Sequence, residues 1–251
     1  MYFGWNCCFL FMMGEKNMGK KQLFCIPYAG GNASFFNNLK KYLEDSVEVY
    51  NLEYSGHGAR RREPFYRDFK ELLAEVKEQI ESHRKKDVPY AIFGYSMGSL
   101  AAYELATNYF ETDLPQHVFL AAHEPPDLPF RGKKYASLDD SGFLDAMEHF
   151  GGIDRKMFEN QRFLDIFLPP MRADYQYLQD YQWEKGHKKI SCDVTVFYSP
   201  EDTKTEDMRQ WERHVYGNTQ FFEYSGNHFF LKEHEREIAE NIKRNMENYD
   251  K

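Results

Sequence analysis

The chain has 251 residues, with 40 acidic against 32 basic side chains and a formal charge of −8. That sign excludes nucleic acid as the principal partner, because a phosphate backbone is recognised by a basic field. The length allows one α/β domain whose core buries roughly 70–75% of the unfolded surface, and an aromatic fraction of 17% supplies bulk for that core or for an acyl-binding surface.

The chain opens on MYFGWNCCFLFMM, an apolar run. It lacks a basic leader and a small-residue cleavage site, and it is shorter than the roughly 20 residues of a membrane-spanning helix, so neither a signal peptide nor a membrane association is expected. Met18 opens MGKKQLFCIPY, a natural start for a first strand. Just before it, the codons for Gly14-Glu15-Lys16-Asn17 form a purine-rich run that can read as a bacterial ribosome-binding site. Residues 1–17 are therefore expected to be a non-native or accessory extension with no part in catalysis. Cys7, Cys8, Cys25 and Cys192 show neither C-x-x-C spacing nor a disulfide or zinc pattern, which points to a reducing, cytoplasmic compartment and to no metal.

Beyond this segment the pattern alternates. Strand-like runs fall at 22–28, 47–54, 88–94, 117–123, 193–198 and 219–224. Helical stretches lie between and after them, at about 34–44, 66–84, 97–110, 205–215 and 231–247. The second of these sets Phe69, Leu72, Leu73, Val76 and Ile80 on one face. Such alternation predicts an α/β fold, a mostly parallel sheet with helices on both faces. The rhythm breaks between about Pro125 and Ile190, where only helical patterns appear, among them SLDDSGFLDAMEHF and LPPMRADYQYLQDYQW. A segment of that length is too long for a plain crossover. The expected organisation is a core of residues 18–124 and 191–251 with a helical lid over 125–190.

At the end of the third strand-like run stands Gly94-Tyr95-Ser96-Met97-Gly98, a G-x-S-x-G sequence with a helical pattern directly behind it. Strand, tight turn and helix together describe a nucleophile elbow, which exposes a serine hydroxyl at the edge of the sheet. The hydroxyl needs a base, and the base needs an orienting carboxylate, in the chain order Ser, acid, His. His57 and His83 precede Ser96 and fail on order. His228, in SGNHFFL between the last strand and the last helix, is the expected base. Glu201 and Asp202 both follow the fifth strand; Asp202 is preferred as the acid, and spacing alone does not separate them. The tetrahedral oxyanion requires backbone donors. Met97 supplies one N–H, and the glycine-rich PYAGGN loop after the first strand is placed to supply the second.

Together LFCIPYAGGNASFF, EYSGHGARRREPF, IFGYSMGSLAAYELA, LPPMRADYQYLQDY, PEDTKTEDMRQWERH and GNHFFL resemble the type II thioesterases of nonribosomal peptide and polyketide synthesis, within the α/β-hydrolase superfamily. The resemblance runs from about residue 22 to 235. It implies a Ser96, Asp202 and His228 triad with Ala29 and Met97 as the oxyanion hole. It also implies a thioester substrate on the phosphopantetheine of a carrier protein, and no cofactor. Two departures stand out: GHGARRR replaces the Pro-Gly-Arg of many relatives, and SPEDTKTED is about two residues short after the acid. Two basic groups, Arg60-Arg61-Arg62 and Arg131, Lys133 and Lys134, are candidates for docking the carrier. The rival expectations are a small-molecule carboxylesterase or lipase with the same triad, and a non-catalytic docking subunit of a synthase.

Overall fold

The structure, a computed structural model, describes residues 19–129, 134–149, 156, 159–184, 186 and 188–247. The expectation for residues 1–17 lies outside these residues, as do Arg131 and Lys133. Six strands, β1 (Lys21–Ile26), β2 (Val47–Asn51), β3 (Tyr90–Tyr95), β4 (His117–Ala121), β5 (Asp193–Tyr198) and β6 (Thr219–Glu223), form one sheet in the order β2-β1-β3-β4-β5-β6. Every pairing is parallel. The six strands are those expected from the alternation.

The central strands are buried on both faces, as their unbroken apolar runs require. One face carries Phe24, Ile26, Ile92, Val118, Leu120, Val194 and Val196; the other carries Leu23, Cys25, Ala91, Phe93, Phe119, Ala121 and Phe197. Helices α1 (Asn37–Leu43) and α7 (Leu231–Glu247) cover the second face. Helices α2 (Phe69–His83) and α3 (Met97–Glu104) cover the first. The apolar stripe expected on α2 is the buried one, and the helix starts where the Asp68 side chain accepts the Glu71 N–H. The segment expected as one helix over 97–110 ends its α-helix at Glu104 and continues as a π-helical turn, Leu105–Tyr109. Likewise 205–215 divides into α6 (Thr205–Arg209) and a 3-10 segment, Gln210–His214.

Between β4 and β5 lie α4 (Asp140–His149) and α5 (Gln161–Asp180). Arg172 ties the two together, donating to Asp140 and to the Leu138 carbonyl. On its other side α5 meets the core, where Tyr177 Oη donates to the Tyr66 carbonyl at 2.7 Å. Because all six strands run the same way, the segments that follow them emerge along one edge of the sheet. This is where ligands bind in open α/β folds.

Candidate active site

Ser96 follows β3 with φ 55° and ψ −119°, in the sparsely populated left-handed half of backbone space. Several contacts hold it there. Its N–H donates to the Ala121 carbonyl at 2.8 Å. Ser99, one turn on, donates its hydroxyl to the Gly94 and Ala121 carbonyls and accepts the Ala121 N–H. The two glycines of the motif are required by close approach. A Cβ on Gly94 would lie 2.1 Å from the Gly98 carbonyl oxygen, and one on Gly98 would lie 2.1 Å from that of Ile26.

Facing this turn, His228 places Nε2 3.0 Å from Ser96 Oγ and Nδ1 2.9 Å from Asp202 Oδ2. A carboxylate only accepts, so Nδ1 carries the proton and Nε2 is left to accept the serine hydroxyl. The Asp202 side chain is buried and that of His228 nearly so. The competing acid, Glu201, has a different partner: its Oε1 accepts the Gly226 N–H at 2.8 Å. The loop carrying His228 is also held by Ser199, which donates to the Gly226 carbonyl, and by Tyr95, whose hydroxyl donates to the His228 carbonyl at 2.7 Å.

The expected oxyanion donors lie in segments that follow neighbouring strands. Ile26 of β1 pairs with Gly94 of β3, so the PYAGGN loop and the elbow leave the sheet side by side. Met97 opens α3, where first-turn N–H groups have no partner within the helix. Ala29 lies in a turn closed by the Gly31 N–H on the Tyr28 carbonyl at 2.9 Å.

The candidate docking residues divide. Arg60 donates to Glu63, Glu75 and the Glu53 carbonyl. Burial works against its charge and the carboxylates outweigh it, led by the hydrogen bond to Glu63, so its pKa is raised. Its donors brace the segment after β2 against α2. Arg61, Arg62 and Lys134 are exposed.

Sequence order removed His57 from consideration as the base, yet the residue is 2% exposed and has a second buried carboxylate. Its Nε2 lies 2.9 Å from Asp174 Oδ2 and its Nδ1 2.9 Å from the Ser55 carbonyl. Both ring nitrogens face acceptors, so only the doubly protonated imidazolium satisfies both. Burial alone would lower the pKa of His57. The charge and hydrogen bond of Asp174 lead the opposing contributions, which with the Ser55 carbonyl and Glu53 leave it raised.

A raised folded-state pKa means this pair contributes its full stability below the unfolded value, about 6.5, and loses it as pH rises through the folded value. His57→Gln is therefore expected to destabilise the protein more at about pH 6 than at about pH 9. Urea midpoints of wild type and variant at both values check this; a gap that stays flat or widens with pH contradicts it.

A cavity of about 430 Å³ lies between α3 and the segment joining β4 to β5, lined in part by Leu100, His123, Asp127, Leu178, Gln182 and Trp183. Leu100 lies one helical turn beyond Ser96 on α3. Among the described residues no cluster of His, Cys, Asp and Glu could hold a metal ion, and no helix is long and apolar enough to cross a membrane.

The Thioesterase domain model matches residues 21–246. The linear gramicidin dehydrogenase LgrE of Brevibacillus parabrevis is 29% identical over 90% of this chain and 88% of its own. The medium-chain S-acyl fatty acid synthase thioesterase of Anas platyrhynchos is 30% identical over 91% and 93%. Among solved structures, ClbQ from the colibactin NRPS/PKS pathway superposes with a TM-score of 0.84 at 25% identity, covering 92% of this chain and 98% of that one.

Proposed function

Because the chain belongs to the thioesterase family, we propose that it hydrolyses acyl groups held as thioesters on the phosphopantetheine arm of a carrier protein. Its role would be to clear stray groups from a nonribosomal peptide or polyketide synthase in the cytoplasm. The observation that carries this reading is the continuous relay from Ser96 Oγ to His228 (3.0 Å) to Asp202 (2.9 Å). The thioesterase model and the likeness to ClbQ, a protein of an NRPS/PKS pathway, support this substrate class.

In this reading Ser96 attacks the thioester carbonyl while His228 takes the hydroxyl proton, and Asp202 holds the imidazole in the tautomer that can do so. The Ala29 and Met97 N–H groups receive the oxyanion. Collapse expels the phosphopantetheine thiol, which takes the proton from His228. Water, activated by the same imidazole, then releases the acid. A thiolate is a good leaving group, so these residues suffice without a cofactor. The helical insertion acts as a lid, and the cavity beneath it receives the acyl chain.

The word dehydrogenase in the name of the Brevibacillus relative is not carried over. A dinucleotide site uses G-x-G-x-x-G after the first strand, and here that loop reads PYAGGNAS.

The test compares an acetylated carrier protein with an oxygen ester of the same acyl group. The reading expects kcat/KM at least about 100-fold higher for the carrier thioester, since its remote contacts add transition-state binding. Preference for the oxygen ester would favour a carboxylesterase. Exposed Arg61 and Arg62, together with the Arg131, Lys133 and Lys134 group, are proposed to meet the carrier or its phosphate. Arg61→Glu with Arg62→Glu is expected to raise KM several-fold for the carrier substrate and leave a small uncharged thioester unaffected. Equal losses on both substrates contradict the docking role.

A further inference from the structure

Helix α5 reaches the loop that follows β1. It brings Met171 and Asp174, three residues apart and so on one helical face, against the turn that carries Ala29. Gly30 occupies the third position of that turn with φ +76°, the left-handed value that a type II turn requires there. A Cβ on Gly30 would stand 2.1 Å from Met171 Cγ. No side chain could separate helix from turn.

The polar contact is equally direct. Asp174 is fully buried, and one of its oxygens, Oδ2, accepts both the Gly30 N–H at 2.6 Å and His57 Nε2–H at 2.9 Å. The Gly30 N–H belongs to the central peptide of the turn, so the carboxylate sets which way that peptide faces. Turned over, the peptide would point the Ala29 carbonyl at a buried carboxylate. His57, itself fixed by the Ser55 carbonyl, holds the carboxylate in place from the far side.

We propose that Asp174, backed by His57, is a positioning residue for the oxyanion hole, through which helix α5 fixes the Tyr28–Gly31 turn and the Ala29 N–H. This rests on the reading of Ala29 and Met97 as the oxyanion donors. Its consequence is that the insertion and the catalytic turn work as one unit: a displacement of α5 that breaks the Asp174 contact also releases the turn.

Asp174→Ala removes the acceptor of the Gly30 N–H, and His57→Gln disturbs the same contact from behind. For each, kcat and KM are measured with a small acyl thioester, and Ki with a trifluoromethyl ketone of the same acyl group, whose adduct with Ser96 places an oxyanion in the hole. Losing one oxyanion donor outright slows an enzyme by about 10²–10³. Mispositioning one is expected to lower kcat roughly 10- to 100-fold with KM nearly unchanged.

Ki should weaken by the same factor, so that log(KM/kcat) and log Ki fall on a line of slope near one across the variants. A merely structural role would reduce the folded fraction and lower kcat without moving Ki. Unchanged kcat, or a fall in kcat at constant Ki, overturns the proposal. Should Asp174→Ala not fold, His57→Gln decides by the same two measurements. A wild-type enzyme that fails to form the Ser96 adduct, read by fluorine NMR, would instead refute the oxyanion-hole reading, and this proposal with it.

Discussion

Ser96→Ala is expected to lower kcat by at least about 10⁴-fold, and His228→Ala by nearly as much, because triad members act as a unit. The variants fail for different reasons. In the proposed mechanism alanine at 96 removes the attacking atom, so no acyl-enzyme would form. Alanine at 228 leaves the hydroxyl without a base at neutral pH and without a donor for the departing thiol. In the relay, Nε2 of His228 is the imidazole nitrogen 3.0 Å from Ser96 Oγ. A second His–Asp pair, His57 with Asp174, has both nitrogens committed to acceptors. Fold should survive both substitutions, since the elbow is held by backbone bonds and by Ser99. Circular dichroism and turnover of a loaded carrier protein check this; activity within about tenfold of wild type in Ser96→Ala would contradict the assignment.

The second large effect separates two adjacent carboxylates. Asp202→Asn is expected to cost about 10³–10⁴ in kcat, because an amide can donate to Nδ1 and so stabilise the wrong tautomer of His228. Glu201→Gln should cost less than about tenfold. Its amide oxygen can still accept the Gly226 N–H, exchanging a charge-assisted hydrogen bond for a neutral one. The reverse ranking in single-turnover rates would show that Glu201 orients the base.

What could be read from the sequence depended on how local each feature is. The strand, turn and helix around Ser96 run consecutively from Tyr90 to Glu104, and both glycines announce a close approach that the structure contains. The six strands were legible because each is a short apolar run flanked by polar turns. Glu201 and Asp202 were not separable, since one step along a tight turn reverses which side chain faces the site, and only the packed His228 loop decides it.

Asp174 and His57 stand 117 residues apart, joined across the insertion, and no spacing relates them. A signal was present all the same: His57 between two glycines in GHG, and Asp174 in MRADY, are polar residues set in stretches that carry the family resemblance. Order in the chain dismissed His57 as a base without asking what else a buried histidine could hold. The Arg60-Arg61-Arg62 run shows the reach of tertiary contacts in another way. Charge patterning treats the three alike, whereas Glu63 and Glu75 draw Arg60 into a brace and leave the other two exposed.

The most direct test of the account is to mix the enzyme with an acetylated carrier protein, quench in acid within milliseconds, and map the peptides by mass. The account predicts a transient acetyl group on the peptide containing Ser96, appearing as the carrier thiol is freed and absent in Ser96→Ala. Release of free acetate with no acyl group ever detectable on Ser96, and undiminished in Ser96→Ala, would contradict it.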